Sequence, residues 1–201
     1  MKKYSLEFCF KGSRTYVQGP DIFDVVMETI KNDFDLYQIT DIKYSAHDML
    51  LSNADLFVTD TFDKNSFNTI NSIITFKLND IKYYAVISKN NSKIQCSNEY
   101  SEEIVSSKSI IKDNIIIFDN VLDYSITEIA VSMNKYFLQE TEAKDGKWIV
   151  TKFEYTKLAN LDKIKNKTLK LELTNNFNNK LTKSTIFINE EVVGYLYFSL
   201  I

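Results

Sequence analysis

Residues 19–30 read Gly19-Pro20-Asp21-Ile22-Phe23-Asp24-Val25-Val26-Met27-Glu28-Thr29-Ile30. Gly19-Pro20-Asp21 is a helix start: Pro fits the first turn, where its missing N–H costs nothing, and Asp favours the positive end of the helix dipole. Ile22, Phe23, Val25, Val26, Met27 and Ile30 then place apolar side chains on most sides of the helix. A helix this apolar needs cover on more than one face, which a sheet curled around it supplies. The helix is predicted to end near Asn32-Asp33.

Working outward, Tyr4, Leu6, Phe8 and Phe10 alternate with Ser5, Glu7, Cys9 and Lys11, the period of a half-buried strand. After the helix, strands are expected at residues 37–44, 55–61, 71–77 and 82–88. The last two form a hairpin across Leu78-Asn79-Asp80-Ile81, because Asn and Asp tolerate the left-handed backbone of a tight turn. Ser88-Lys89-Asn90-Asn91-Ser92-Lys93 is a polar link.

The second half follows the same plan. Strands are expected at residues 94–100 and 115–118. Ser125-Ile126-Thr127-Glu128 matches a capping box, and Ile126, Ile129, Ala130, Met133 and Phe137 form one apolar helical stripe. Strands at 148–155 and 168–174 follow, then a hairpin of 184–189 and 193–200 across Glu190-Glu191. Residues 72–88 (SIITFKLNDIKYYAVIS) lie over 184–200 (STIFINEEVVGYLYFSL) without a gap at an offset of 112, with Ser72/Ser184, Ile74/Ile186 and Tyr83/Tyr195 identical. Two repeats are therefore expected, 1–89 and 90–201. The shared order of elements argues for them more strongly than the three identities do.

The chain has 201 residues, 44% of them hydrophobic and 25% charged, which excludes a disordered chain. A net charge of −3 without a basic stripe argues against a nucleic-acid partner. No window approaches the roughly 18 apolar residues of a membrane-spanning helix. Glu7, Lys11 and Arg14 interrupt any signal-peptide core after Met1-Lys2-Lys3. Cys9 and Cys96 are far apart in sequence and are expected as buried free thiols. These features fit a cytoplasmic protein, and the Lys-, Asn- and Ile-rich composition fits an AT-rich bacterial genome. No Cys-x-x-Cys, His-Glu-x-x-His, Gly-x-Gly-x-x-Gly or phosphate-loop pattern occurs, so neither metal nor cofactor is expected.

A long apolar helix followed by antiparallel strands, in a unit of about a hundred residues, resembles the hot-dog fold. Two such units resemble a double hot-dog of the α+β class, with each helix wrapped by a curled antiparallel sheet. The resemblance implies dehydratase- or thioesterase-like processing of acyl thioesters, with acyl-CoA or an acyl carrier protein as partner. A double hot-dog can be a monomer, because its halves supply the usual dimer; a homodimer is the other expectation. The alternatives are a non-catalytic acyl-binding or scaffold protein of the same fold, and an unrelated α+β interaction protein. The dehydratases of this fold carry a His followed closely by a Phe-Pro-Gly type segment. Here the single Pro is Pro20 and the single His is His47, not in that arrangement. No family catalytic residue carries over.

Position in such a fold selects the loop of residues 11–19 that leads into the first helix. Arg14 is the single arginine against 23 lysines and can hold a phosphate or carboxylate bidentately, or brace a turn. Arg14, Gln18 and Gly19 are candidates for substrate binding, with backbone amides near Gly19 polarising a carbonyl. Tyr16, His47 and Asp123 are candidates for proton transfer. His47 has an ordinary pKa suited to neutral pH, whereas an Asp needs desolvation to serve as a base. Asp123 and Ser125 equally suit a helix cap.

Overall fold

The computed structural model describes residues 1–119, 122–142, 145–158 and 167–201. The chain divides into two compact units, the first built on Met1–Tyr100 and the second on Ser101–Thr156 and the strands that follow. Among the described residues, no helix is long and apolar enough to cross a membrane.

The first unit comprises β1 (Lys2–Leu6), β2 (Phe10–Lys11), α1 (Gly19–Ile30), β3 (Thr40–Ala46), β4 (Ala54–Thr59), β5 (Ser72–Leu78), β6 (Ile81–Lys89) and β7 (Ser97–Asn98). The helix begins where Gly19-Pro20 predicts, and it buries Pro20, Ile22, Phe23, Val26, Met27 and Ile30. It packs against β1 and β3, the first and last strands of an antiparallel order β1-β4-β6-β5-β3. Alternate residues on these strands, including Leu6, Ile42, Tyr44, Leu56, Val58, Ile74, Phe76, Ala85 and Ile87, are fully buried. Each Leu, Ile, Val or Phe among them contributes roughly 1.5–3 kcal/mol to the core.

Three expected strands differ. Of residues 94–100 only Ser97–Asn98 form a strand, β7, which pairs parallel with β2. The alternation from Tyr4 to Phe10 leaves the sheet after Leu6, because the Phe8 amide donates to the Asn53 side chain (2.9 Å) and Phe10 pairs with β7. Phe8 stays buried, so the pattern reports burial rather than continuous pairing. Residues 36–38 form a single 3₁₀ turn, capped by Asp35 accepting from the Tyr37 amide (3.1 Å), and this delays β3 to Thr40.

The second unit comprises α2 (Glu103–Ser107), β8 (Ile110–Lys112), β9 (Ile115–Phe118), α3 (Ile126–Thr141), β10 (Trp148–Lys157), β11 (Leu169–Phe177), β12 (Leu181–Ile188) and β13 (Glu191–Leu200). Its strands pair antiparallel in the order β8-β9-β11-β12-β13-β10. α3 packs against β9, β11 and α2. The capping box is present: the Glu128 amide donates to Ser125 Oγ and the Ser125 amide to Glu128 Oε2, both at 3.1 Å. Ser125→Ala is expected to cost about 1 kcal/mol in urea unfolding; an unchanged midpoint would show that packing alone holds the helix. α2 and β8, of five and three residues, are too short for periodicity to announce.

Both final hairpins close with two left-handed residues, Asn79-Asp80 (φ 50°, 62°) and Asn189-Glu190 (φ 48°, 69°). The second turn therefore falls one residue before the expected Glu190-Glu191, because Asn tolerates positive φ better than Glu. The two turns also sit two positions short of the 112-residue offset.

Strand order separates the units further. In the second unit β11 turns into β12 through Asn178-Asn179-Lys180, and β12 is its direct neighbour. In the first unit β4 pairs with β6, so β5 lies one strand further away. The chain then needs residues 60–71 to cross from β4 to β5.

Candidate functional site

The loop of residues 11–19 is pinned at its base. Cys9 and Cys96 form a disulfide, which corrects the expectation of free thiols. The parallel alignment of β2 with β7 brings the cysteines together, with Cα atoms 4.8 Å apart, although they are 87 residues apart in sequence. That proximity is tertiary and has no signature in their spacing. Around the bridge, the Phe10 amide donates to Cys96 O (3.0 Å) and the Gly12 amide to Asn98 O (2.9 Å). Gly12 sits at φ 59°, a conformation that disfavours other residues.

Arg14 stacks over the Tyr100 ring, with 5.1 Å from its guanidinium carbon to the ring centroid. The Gln18 side-chain oxygen accepts from Arg14 Nε at 2.7 Å and from Nη1 at 3.1 Å. Lys11 approaches the same ring at 5.4 Å, and its ammonium pairs with Asp21 in the first turn of α1 at 2.6 Å. Arg14 and Gln18, both selected from sequence, are thus joined directly. Sequence reasoning missed Tyr100, since nothing in its local pattern marks it as a platform for two cations.

Gly19 has a packing reason. A Cβ there would lie 3.1 Å from the Tyr44 ring, and Tyr44 is fully buried on β3. Burial drives the Tyr44 phenol far above its ordinary pKa, so it stays protonated. Gln18 caps α1 without a side-chain hydrogen bond to its first turn, whereas the α3 N-terminus is closed by Ser125 and Glu128. Tyr16 is half-buried within the loop. Val17 pairs with Leu50, its amide donating to Leu50 O at 2.9 Å.

His47 is exposed just past β3, and its amide donates to Asn71 O at 2.8 Å. Its imidazole lines a cleft of about 700 Å³ with Phe62, Lys64, Asn65, Phe67, Asn68, Ile70 and Ile73; none of residues 11–19 lines it. Asp123 is exposed in the second unit, and Ser125, not Asp123, provides the α3 cap. Just before Asp123 in the chain, Asn120 and Val121 lie outside the described residues. Among the described residues, no cluster of His, Cys, Asp and Glu could hold a metal ion.

No protein-family model matches this sequence, and no curated protein does. Solved structures match by fold. A tesB protein of Mycobacterium avium subsp. paratuberculosis superposes with a TM-score of 0.54 at 9% identity, over 99% of this chain and 92% of the other. A structure described as thioesterase II from Thermobifida fusca gives 0.56 at 7% identity, over 98% and 92%. A trans-AT polyketide synthase dehydratase domain from Brevibacillus brevis gives 0.51 at 8% identity, over 100% and 94%. These are hot-dog proteins, and at such identities the likeness is one of fold: this chain is similar in fold to hot-dog thioesterases and dehydratases.

Proposed function

We propose that this chain is a double hot-dog protein, each half a helix wrapped by its sheet, that processes acyl thioesters of coenzyme A or an acyl carrier protein. The observation that carries the reading is the fold shared with thioesterases and a dehydratase over more than nine-tenths of both chains. Supporting it, α1 touches both outer strands of its unit's order, as a wrapped helix does. The α1 N-terminus also lacks a side-chain cap, so backbone amides near Gly19 are the better placed to polarise a thioester carbonyl. Arg14, steadied by Gln18 and Tyr100, faces the phosphate or carrier end of the substrate in this scheme. Tyr16 moves the proton; Asp123, exposed in the second unit, lacks the desolvation that a carboxylate base needs. His47, in its own cleft, is the remaining titratable candidate.

A second reading, a non-catalytic acyl-binding or scaffold protein of this fold, is favoured by the Cys9–Cys96 disulfide. Disulfides persist mainly in oxidising compartments, which argues against the cytoplasm where coenzyme A and carrier-protein thioesters are processed.

Incubation with acyl, 3-hydroxyacyl and enoyl thioesters of coenzyme A and pantetheine, read by mass spectrometry, separates the readings. Loss or gain of water identifies a dehydratase or hydratase, and free acid a thioesterase. A retained ligand without turnover supports the binding role, and neither product nor ligand overturns both. With turnover in hand, Arg14→Ala is expected to raise KM, and Tyr16→Phe to lower kcat roughly a hundredfold, each with an unchanged circular dichroism spectrum. Full activity in both variants would remove this loop from the site.

A further inference from the structure

The cleft lined by His47 exists because of the strand order of the first unit. With β6 inserted between β4 and β5, residues 60–71 must pass over the sheet. The register shows which face they cover. Phe57 opposes Val86, Val86 opposes Ile73, and Tyr84 opposes Thr59 and Thr75, so these residues share the face opposite the buried Leu56, Val58 and Ile74. The crossing segment sets Phe62 stacked on Tyr84 (5.2 Å between centroids) and Phe67 edge-on to Phe57 (5.5 Å). Val86 is fully buried even on this face. Beside this aromatic cover the cleft stays open, about 700 Å³, within the range of small-ligand sites.

Its walls are Phe62, Phe67, Ile70 and Ile73, and the charged or titratable side chains among the lining residues are Lys64 and His47. The carboxylates next to these two in the chain are engaged elsewhere. Asp63 accepts from the Asn65 amide (3.0 Å) and Ser66 Oγ (3.3 Å). Asp48 accepts from the Met49 amide (2.8 Å) and lies 3.9 Å from Lys89. Asn71 holds the His47 backbone in place: its carbonyl accepts from the His47 and Asp48 amides, and its Nδ2 donates to Asp48 O.

We propose that this cleft binds a small monocarboxylate with an apolar body, the body lying on the Phe and Ile walls and the carboxylate meeting Lys64 beside His47. The site belongs to the first unit alone and does not depend on the thioester reading. Titration of the full chain with octanoate, followed by backbone amide and side-chain NMR shifts, tests it. Saturable shifts are expected at His47, Lys64, Phe67 and Ile73. 1-Octanol and octylamine, of equal length without the negative charge, are expected to bind at least tenfold more weakly. Lys64→Ala is expected to weaken octanoate about tenfold while leaving octanol unchanged. Asn68→Trp, which fills the cleft from an exposed position, is expected to abolish both, and the same spectra report whether either variant keeps its fold. Equal binding of the three probes, octanoate binding that survives Lys64→Ala, or no saturable shift at these residues would overturn the proposal.

Discussion

Replacing Cys9 and Cys96 together by serine is expected to lower the unfolding free energy by about 4.6 kcal/mol, the chain-entropy value for a cross-link closing a loop this long. The two cysteines are 87 residues apart, so the reduced, unfolded chain gains much of the freedom that the bridge denies it. Besides the bridge, the junction is held by short backbone pairing, by Ser97 Oγ donating to Gly12 O (3.3 Å) and by Lys11 and Arg14 over Tyr100. β2 and β7 pair over two residues each, and the Gly12 turn hangs from that pairing. A melting temperature lower by roughly 10 °C is expected, since 1 kcal/mol moves a chain of this size by about 2–4 °C. The parent protein treated with reductant is expected to melt with the serine variant. Coincident melting of oxidised and reduced parent would show that the bridge carries no stability. Because Lys11, Arg14 and Tyr100 flank the same junction, reduction is also expected to loosen the Arg14 loop, visible as faster hydrogen exchange at residues 10–18.

Gly194→Ala is expected to destabilise the second unit by more than 3 kcal/mol. Gly194 lies opposite Tyr155 in the β10–β13 ladder. A Cβ there would sit 2.0 Å from the Glu154 carbonyl oxygen and 2.9 Å from Tyr155 Cδ1. The obstacle is backbone, which cannot rotate away as a flexible side chain can, so the cost exceeds that of ordinary overpacking. Displacing β10 also strains the buried hydrogen bond from the Tyr155 hydroxyl to Thr127 Oγ1 (3.0 Å), which ties the strand to α3. Urea unfolding followed by Trp148 fluorescence reads the effect, since Trp148 begins β10 and is buried. Stability within 0.5 kcal/mol of the parent would mean that the ladder slips to accommodate the methyl.

The extent of the candidate site that is legible in sequence follows from the same distinction between local and distant causes. Arg14 stands out because it is the single arginine, and Gln18 because it shares the loop that leads into α1; the structure joins them. Tyr100 and the Cys9–Cys96 pairing reach the loop from about ninety residues away, through a two-residue parallel ladder that no periodicity encodes. His47 looks catalytic when read alone, yet its surroundings are made by residues 60–73.

The helices α1 and α3, the capping box, both Asn-led turns and most strands were determined locally, by apolar spacing, by Pro20 and Ser125, and by which residues tolerate a left-handed backbone. Strand order was not. The two halves carry their post-helix strands in the same sequence, yet β12 pairs with β11 while β5 is parted from β4 by β6. An antiparallel hairpin has the same pattern whichever of its strands faces the neighbour, so only the packing of the whole unit chooses. In the first unit that choice lays residues 60–71 across the sheet and opens the cleft beside them.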